Sequence, residues 1–158
     1  MCIRDSYCAA HNIAVSFSAD ASAASADADV ILVAVGETAS EMTGEAASRT
    51  RIGLPGAELV DEVAKFNKPI VLLAFAGRPV VLTPIEPKAT AILEAWFPGI
   101  EAGPALVATL FGEANPSGRL TASFPRSVGQ EPLYYNALST GRPVGKMCIR
   151  DSLYSARC

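Results

Sequence analysis

An α/β fold, with a mainly parallel sheet between layers of helices, is the architecture that the sequence predicts. Two apolar runs, VILVAV (30–35) and PIVLLAFA (69–76), are rich in branched residues and hydrophobic on both faces, which is typical of parallel strands covered by helices. An amphipathic stretch at 56–67 lies between them. The order strand, helix, strand indicates a right-handed βαβ crossover. We therefore expect a three-layer α/β sandwich in a single domain.

The βαβ unit has clear predicted limits. The first strand is predicted at 27–37, and its apolar run ends at Gly36. The helix spans 56–67, because apolar residues recur at near-helical spacing and acidic residues occupy its first turns. Pro69 ends the helix and begins the second strand, 69–77.

The second half of the chain continues the alternation of strands and helices. A third short strand is predicted after the turn at Gly77, and a helix ends at Gly112, a residue suited to the left-handed position after a helix. The predicted elements are a strand at 78–85, a helical turn within 88–94 leading into a strand within 91–99, a helix at 101–112 and a brief strand at 120–124.

The hexapeptide MCIRDS stands at residues 1–6 and again at 147–152. A structural repeat recurs at a fixed period and builds stacked units, which a single recurrence does not do. A metal or redox clip through Cys2 and Cys148 is one interpretation, and a translated adapter or vector scar is the favoured one. The predicted organisation is an added segment at 1–6, one domain at 7–146 and an added segment at 147–158.

Composition excludes several classes of function. The formal net charge is −3, and no block of Lys or Arg occurs, so the chain is not expected to bind nucleic acid or an anionic membrane surface. The longest apolar runs are well short of the roughly 20 residues that a membrane span needs. Half of the residues are hydrophobic and 18% are charged, which favours a packed domain over disorder.

The long polar loop GETASEMTGEAASRTRIGLPG (36–56) is the candidate for chemistry. It follows the carboxyl end of a predicted parallel strand, where α/β sheets place ligands. Carboxylates can act as general acids or bases, and arginines can orient them or bind substrate oxygens. The alternative is a solvated loop whose charges pair at the surface. The charged candidates are Glu37, Glu41, Glu45, Arg49 and Arg51.

Other known site patterns are absent from the sequence. His11 is the one histidine, which disfavours a Ser–His–acid triad. No nucleophile elbow, phosphate-binding loop or dinucleotide turn occurs. No His, Cys and Asp cluster has metal-ligand spacing. Trp96 is either a core aromatic or a platform for stacking a sugar.

The ordered strings VILVAVGE, GEAASRT, GLPG, KPIVLLAFAGRPV, ILEAWFPGIEAG, LFGEANPSGRL, SFPRSVGQEPLYYN and TGRP carry a resemblance. Over residues 10–143 the chain resembles the C-terminal α/β domain of glycoside hydrolase family 3, and is nearest to the bacterial periplasmic β-glucosidases. The resemblance implies a retaining exo-β-glucosidase, which hydrolyses terminal non-reducing β-D-glucosyl residues at a site between two domains.

Site roles follow from the same resemblance. In that family an N-terminal (β/α)8 barrel supplies the aspartate nucleophile, and this domain lends residues from the loop after an early strand. The acid/base glutamate of a Gly-Glu motif maps onto Glu37, and the GEAASRT loop presents a second glutamate, Glu45. Glu37 is favoured by a narrow margin. Arg49 and Arg51 are expected to support the loop or bind substrate.

The resemblance also implies partners and location. The substrates would be β-glucosides or short β-glucan oligosaccharides, with no cofactor, metal, nucleic acid or membrane involved. The location would be periplasmic or secreted. Whether the protein forms a homodimer is left open. Because no barrel segment occurs in the sequence, we expect a fragment of a multidomain enzyme that is inactive alone. The alternatives are a non-catalytic carbohydrate-binding or packing module, a β-xylosidase of the same family, and a flavodoxin-like nucleotide binder.

Overall fold

The computed structural model of the chain describes residues 3–19, 21, 27–38, 52–130 and 133–134. Its helices and strands include the predicted βαβ unit and, before it, one helix that the sequence did not predict. They are helix α1 (Ile3–Ala10), strand β1 (Ile31–Gly36), helix α2 (Ala57–Val63), strand β2 (Ile70–Phe75), strand β3 (Ala91–Glu94) and helix α3 (Ala102–Leu110). Short 3-10 turns occupy Ala64–Phe66, Glu86–Lys88 and Val128–Gln130.

Three parallel strands form the described sheet in the order β1-β2-β3. Ile31 is aligned with Ile70, and Leu73 with Leu93. Helix α2 connects β1 to its parallel neighbour β2, as the βαβ prediction requires. The α/β fold class is therefore confirmed.

The hydrophobic core lies between α2 and one face of the sheet. Strand β1 alternates along its length, with its odd-numbered residues buried and Leu32 and Ala34 exposed. Within the described sheet β2 is the central strand, and the second face of β1 is exposed, contrary to the prediction that helices cover both faces of VILVAV. The core side chains that these three elements supply are Ile31, Val33, Val35, Val60, Val63, Ile70, Leu72 and Ala74.

Packing, and not intrinsic propensity, holds helix α2 together. Seven residues are too few for a stable isolated helix, but Val60 and Val63 are almost completely buried. Each such side chain stabilises the fold by roughly 1.5–3 kcal/mol. Gly56 precedes the helix at φ 79°, and a Cβ there would lie 3.0 Å from Cγ1 of Val35. Both the backbone angle and the close approach favour glycine.

The predicted strand at 78–85 is wrong. Val81 makes only an isolated parallel bridge, to Gly53. Pro79 and Pro84 have no backbone N–H, so the segment cannot form a continuous ladder. Its apolar residues are instead buried one at a time, namely Val80 and Ile85.

In the second half of the chain, one predicted helix is confirmed, one predicted turn is shifted and one predicted strand is absent. The helix predicted at 101–112 is α3, and Gly112 follows it at φ 79° as predicted. The helical turn before β3 ends at Lys88, earlier than predicted. No strand forms at 120–124, where the chain is irregular and buries Phe124 against the core.

Helix α1 begins inside the first MCIRDS copy and packs against α3. Cys8 is buried there, and the Tyr7 ring stacks on Phe111 at 4.7 Å between centroids. The Tyr7 hydroxyl donates to Oε1 of Glu113 at 2.9 Å. The predicted boundary between 6 and 7 thus falls within a helix, and the scar interpretation stays a prediction. The second copy lies outside the described residues.

Substituting Gly36 tests how closely β1 and β2 approach each other. A Cβ at Gly36 would lie 1.9 Å from the carbonyl oxygen of Phe75, so the strands would have to separate. We expect Gly36→Ala to lower the free energy of unfolding by about 1–3 kcal/mol in urea titrations. Gly118→Ala is the control, because no atom of the described residues lies within 4 Å of the position that its Cβ would take. Equal stability of both variants would contradict this account.

Candidate active site

The charged residues of interest gather at the carboxyl edge of the sheet. Glu37 directly follows β1, Arg78 lies in the turn after β2, and Glu94 ends β3. Because the three strands are parallel and adjacent, their carboxyl ends meet at one edge, where α/β sheets usually bind ligands. None of the helices in the described part of the chain is long and apolar enough to cross a membrane.

Glu37 is held by donors from the turn after β2. Its Oε1 accepts from Nε of Arg78 at 2.9 Å and forms an ion pair with a terminal guanidinium nitrogen at 2.8 Å. Its Oε2 accepts from the Gly77 backbone N–H at 3.3 Å. The Glu37 backbone N–H donates to the Phe75 carbonyl at 2.7 Å. Side chain and main chain of one residue thus join β1 to the end of β2.

This ion pair, which we call the Glu37–Arg78 latch, is largely removed from solvent. The side chain of Glu37 is 3% exposed and that of Arg78 is 24% exposed. A carboxylate buried to this extent is stable only with a charged partner and further hydrogen bonds. Arg78 and Gly77 supply both, so the latch fixes the point at which the chain leaves β1.

Both ends of the candidate loop are attached next to the latch. The chain leaves the described residues after Thr38 and returns at Ile52. The Ile52 carbonyl accepts from the Val81 backbone N–H at 2.7 Å, and Gly56 lies against Val35 near the end of β1. The loop therefore starts and finishes at the carboxyl edge. The predicted site residues Glu41, Glu45, Arg49 and Arg51 lie outside the described residues.

Glu94 is the second carboxyl at this edge. Its Oε1 accepts from the Trp96 backbone N–H at 3.2 Å, while its Oε2 is buried without a partner among the described residues. Burial raises the pKa of Glu94 from the usual 4.5 to about 7. The backbone N–H groups of Trp96 and Ala76 counteract the rise, and the charge of Glu37 adds to it. The neutral form of Glu94 is therefore favoured at a pH well above that at which a solvated glutamate ionises.

Trp96 belongs to the core. It packs against the buried cluster, and its ring centroid lies 5.9 Å from that of Phe124. Its backbone adopts φ 52°, a left-handed conformation that is strained for a bulky residue. Of the two predicted roles, core aromatic and sugar platform, the structure favours the first.

Arg78 and Glu94 were not among the residues that the sequence singled out. A usable signal exists for Arg78, which directly follows the predicted strand 69–77 as Glu37 follows the first strand. Glu94 falls inside the strand predicted within 91–99, and its position at the strand end emerges only in the structure. Charged residues at the carboxyl ends of adjacent parallel strands converge in space. Recognising this requires that β1, β2 and β3 be neighbours, which the sequence pattern does not specify.

Comparison with known proteins identifies the domain. The sequence profile described as the glycosyl hydrolase family 3 C-terminal domain matches residues 7–156. The chain belongs to this family. The matched range begins where the domain was predicted to begin and runs across the second MCIRDS copy.

Individual family 3 proteins support the same assignment. The chain is 48% identical over 122 residues to the periplasmic β-glucosidase of Salmonella typhimurium, covering 76% of this chain and 16% of that protein. It is 37% identical over 118 residues to a β-xylosidase of Formosa agariphila, covering 73% and 16%. Among solved structures, the β-glucosidase of Listeria innocua in complex with glucose superposes with a TM-score of 0.71 at 41% identity, covering 84% and 19%. The chain thus spans less than a fifth of the length of these family 3 relatives.

Proposed function

We propose that the chain is the C-terminal domain of a retaining exo-β-glucosidase, and that it supplies the acid/base carboxyl to a site completed by an N-terminal (β/α)8 barrel. Family membership and the names of the relatives support the reaction class. The observation that carries the proposal is the latch, because it fixes the base of the glutamate-bearing loop at the ligand-binding edge of the sheet.

The latch also bears on which glutamate is the acid/base. The sequence alone narrowly favours Glu37 over Glu45. In the structure the Glu37 side chain is 3% exposed, and both of its oxygens accept from donors of this same domain. A general acid must come within hydrogen-bonding reach of the leaving-group oxygen. We therefore assign the acid/base role to Glu45 and a positioning role to Glu37.

The proposed mechanism uses two carboxyl groups in two steps. In a retaining glycosidase they lie about 5–5.5 Å apart across the scissile bond. The barrel aspartate attacks the anomeric carbon while Glu45 protonates the departing oxygen. Glu45, now a carboxylate, then removes a proton from water, which releases glucose from the glycosyl-enzyme. Partial burial between the domains keeps the acid protonated at the start, and Arg49 and Arg51 bind substrate oxygens or orient the loop.

The substrates of the whole protein would be β-glucosides or short β-glucan oligosaccharides, and its location would be periplasmic or secreted. The name of the Salmonella relative, a periplasmic β-glucosidase, supports a β-glucoside substrate and a periplasmic location. A β-xylosidase is the second candidate, and the Formosa relative favours it. The barrel would decide between the sugars, since it lines most of the pocket in the family that this chain resembles.

A chimaera provides the test of this proposal. Residues 7–146 would replace the corresponding segment of the Salmonella β-glucosidase, to which the chain is 48% identical. We expect kcat/KM for an aryl β-glucoside to stay within about tenfold of the host value. That range corresponds to a loss of at most about 1.4 kcal/mol of transition-state stabilisation. The host without the segment, and the 158-residue chain alone, should show no turnover. Activity in the host lacking the segment would refute the proposal.

A further inference from the structure

Glu94 ends β3 with one carboxyl oxygen hydrogen-bonded and the other enclosed. Oε1 accepts from the Trp96 backbone N–H. Oε2 is shut off from solvent, and the described residues offer it no hydrogen-bond partner. An ionised oxygen is costly in such surroundings, whereas a neutral carboxyl is tolerated much better. The site therefore favours the protonated form of Glu94.

The charges around Glu94 also favour its protonated form. The charge of Glu37, which follows β1, raises the pKa of Glu94, and Arg78, after β2, is already paired with Glu37. Within the described part of the chain, the groups that favour the ionised form of Glu94 are the backbone N–H groups of Trp96 and Ala76, which lower its pKa. Ionisation of Glu94 would thus place a second carboxylate beside the latch without a second cation.

We propose that Glu94 is a positioning residue: its neutral carboxyl keeps the Glu37–Arg78 latch closed at the base of the 39–51 loop, and its ionisation loosens the latch. The inference rests on the proposed function, because the state of the latch affects catalysis only if this loop carries the acid/base group. Glu94 itself does not touch the substrate. It acts on the loop through Glu37.

The direction of the pH effect follows from proton linkage. The pKa of Glu94 is about 7 in the folded chain and near its usual value when unfolded. Its contribution to stability is therefore complete below the unfolded value and is lost as the pH rises through about 7. Because Glu94 is only half-buried, we expect the folding constant to fall about tenfold on this account between about pH 5.5 and 8.

The single tryptophan allows a direct measurement on the whole chain. In protein labelled with 15N-tryptophan, the backbone amide of Trp96 gives one signal, and this amide donates to Oε1 of Glu94. We expect the signal to move with a midpoint near pH 7 in the wild-type chain. In Glu94→Gln, which keeps the shape and stays neutral, it should not move. An amide signal constant between about pH 5.5 and 8.5 in the wild-type chain would overturn the proposal.

The effect on the latch is tested by stability and by rate. Glu94→Gln should remove the roughly tenfold pH dependence of the folding constant, whereas Glu86→Gln, at an exposed carboxylate in the turn before β3, should leave it unchanged. In the chimaera, Glu94→Gln should raise the ratio of kcat/KM at about pH 8 to that at about pH 6 by roughly threefold or more. An unchanged ratio would overturn the positioning role.

The measurements separate this inference from the proposed function. An inactive chimaera would refute the proposed function but leave the Trp96 titration and the pH-dependent stability as observables of the chain itself. If Glu94→Gln does not fold, the wild-type amide titration still decides whether Glu94 ionises near neutral pH. A titrating amide combined with a pH-independent folding constant would also overturn the inference.

Discussion

Replacing Arg78 by methionine is expected to lower the free energy of unfolding by about 3 kcal/mol. The substitution keeps much of the side-chain length but removes the guanidinium that pairs with Glu37. The Glu37 carboxylate, 3% exposed, would then be a buried charge to which, among the described residues, only the Gly77 N–H donates. Urea unfolding of the chain followed by circular dichroism measures the difference.

Three variants separate this effect from a general loss of packing. Arg78→Lys keeps the charge but loses the planar fork, so an intermediate stability is expected. The double variant Arg78→Met/Glu37→Gln should be more stable than Arg78→Met alone, because no buried charge remains. Lys88→Met breaks an exposed ion pair with Asp61 and should cost less than about 1 kcal/mol. An Arg78→Met effect no larger than that of Lys88→Met would contradict the structural role of the latch.

Replacing Glu45 by glutamine in the chimaera is expected to lower kcat/KM for cellobiose by about 10²–10⁴. Glucose is a poor leaving group and must be protonated as it departs. An aryl glucoside with an acidic phenol departs without that proton, so its kcat/KM should fall much less. Steady-state rates on the two substrates give the ratio.

Glu37→Gln is the matched control for that experiment. A positioning residue acts through Glu45, so its loss should lower the cellobiose-to-aryl ratio by a smaller factor than Glu45→Gln does, and should also lower the free energy of unfolding. If Glu37→Gln changes the cellobiose-to-aryl ratio and Glu45→Gln does not, the roles of the two glutamates are reversed. If neither changes it, the chain is a non-catalytic carbohydrate-binding or packing module.

The βαβ unit could be predicted because several signals agree there. The runs around β1 and β2 are apolar and rich in branched residues, and α2 between them has helical spacing with a proline after it. The segment 78–85 has a similar composition but does not form a strand. Its hydrophobic residues are buried in the core individually, because the prolines prevent the segment from pairing as a strand. Composition alone does not distinguish these two ways of burying apolar side chains.

The site was predictable only in part, for a similar reason. Glu37 was found because a carboxylate directly after a buried strand is visible in the sequence. Its partner Arg78 was not, since the pairing depends on β1 and β2 being neighbours in a definite register. The raised pKa of Glu94 depends on tertiary packing that buries Oε2. Burial of single atoms has no counterpart in local sequence patterns.

Rescue by azide tests most directly whether this domain supplies the acid/base carboxyl. Without that group, an aryl glucoside still forms the glycosyl-enzyme, but water is no longer deprotonated to release it. Azide needs no deprotonation, so it should accelerate turnover by Glu45→Gln in the chimaera and yield β-glucosyl azide, with retained configuration. Glu37→Gln should not respond to azide. Acceleration of Glu37→Gln instead, or of neither variant, would contradict the assignment of Glu45 as the acid/base.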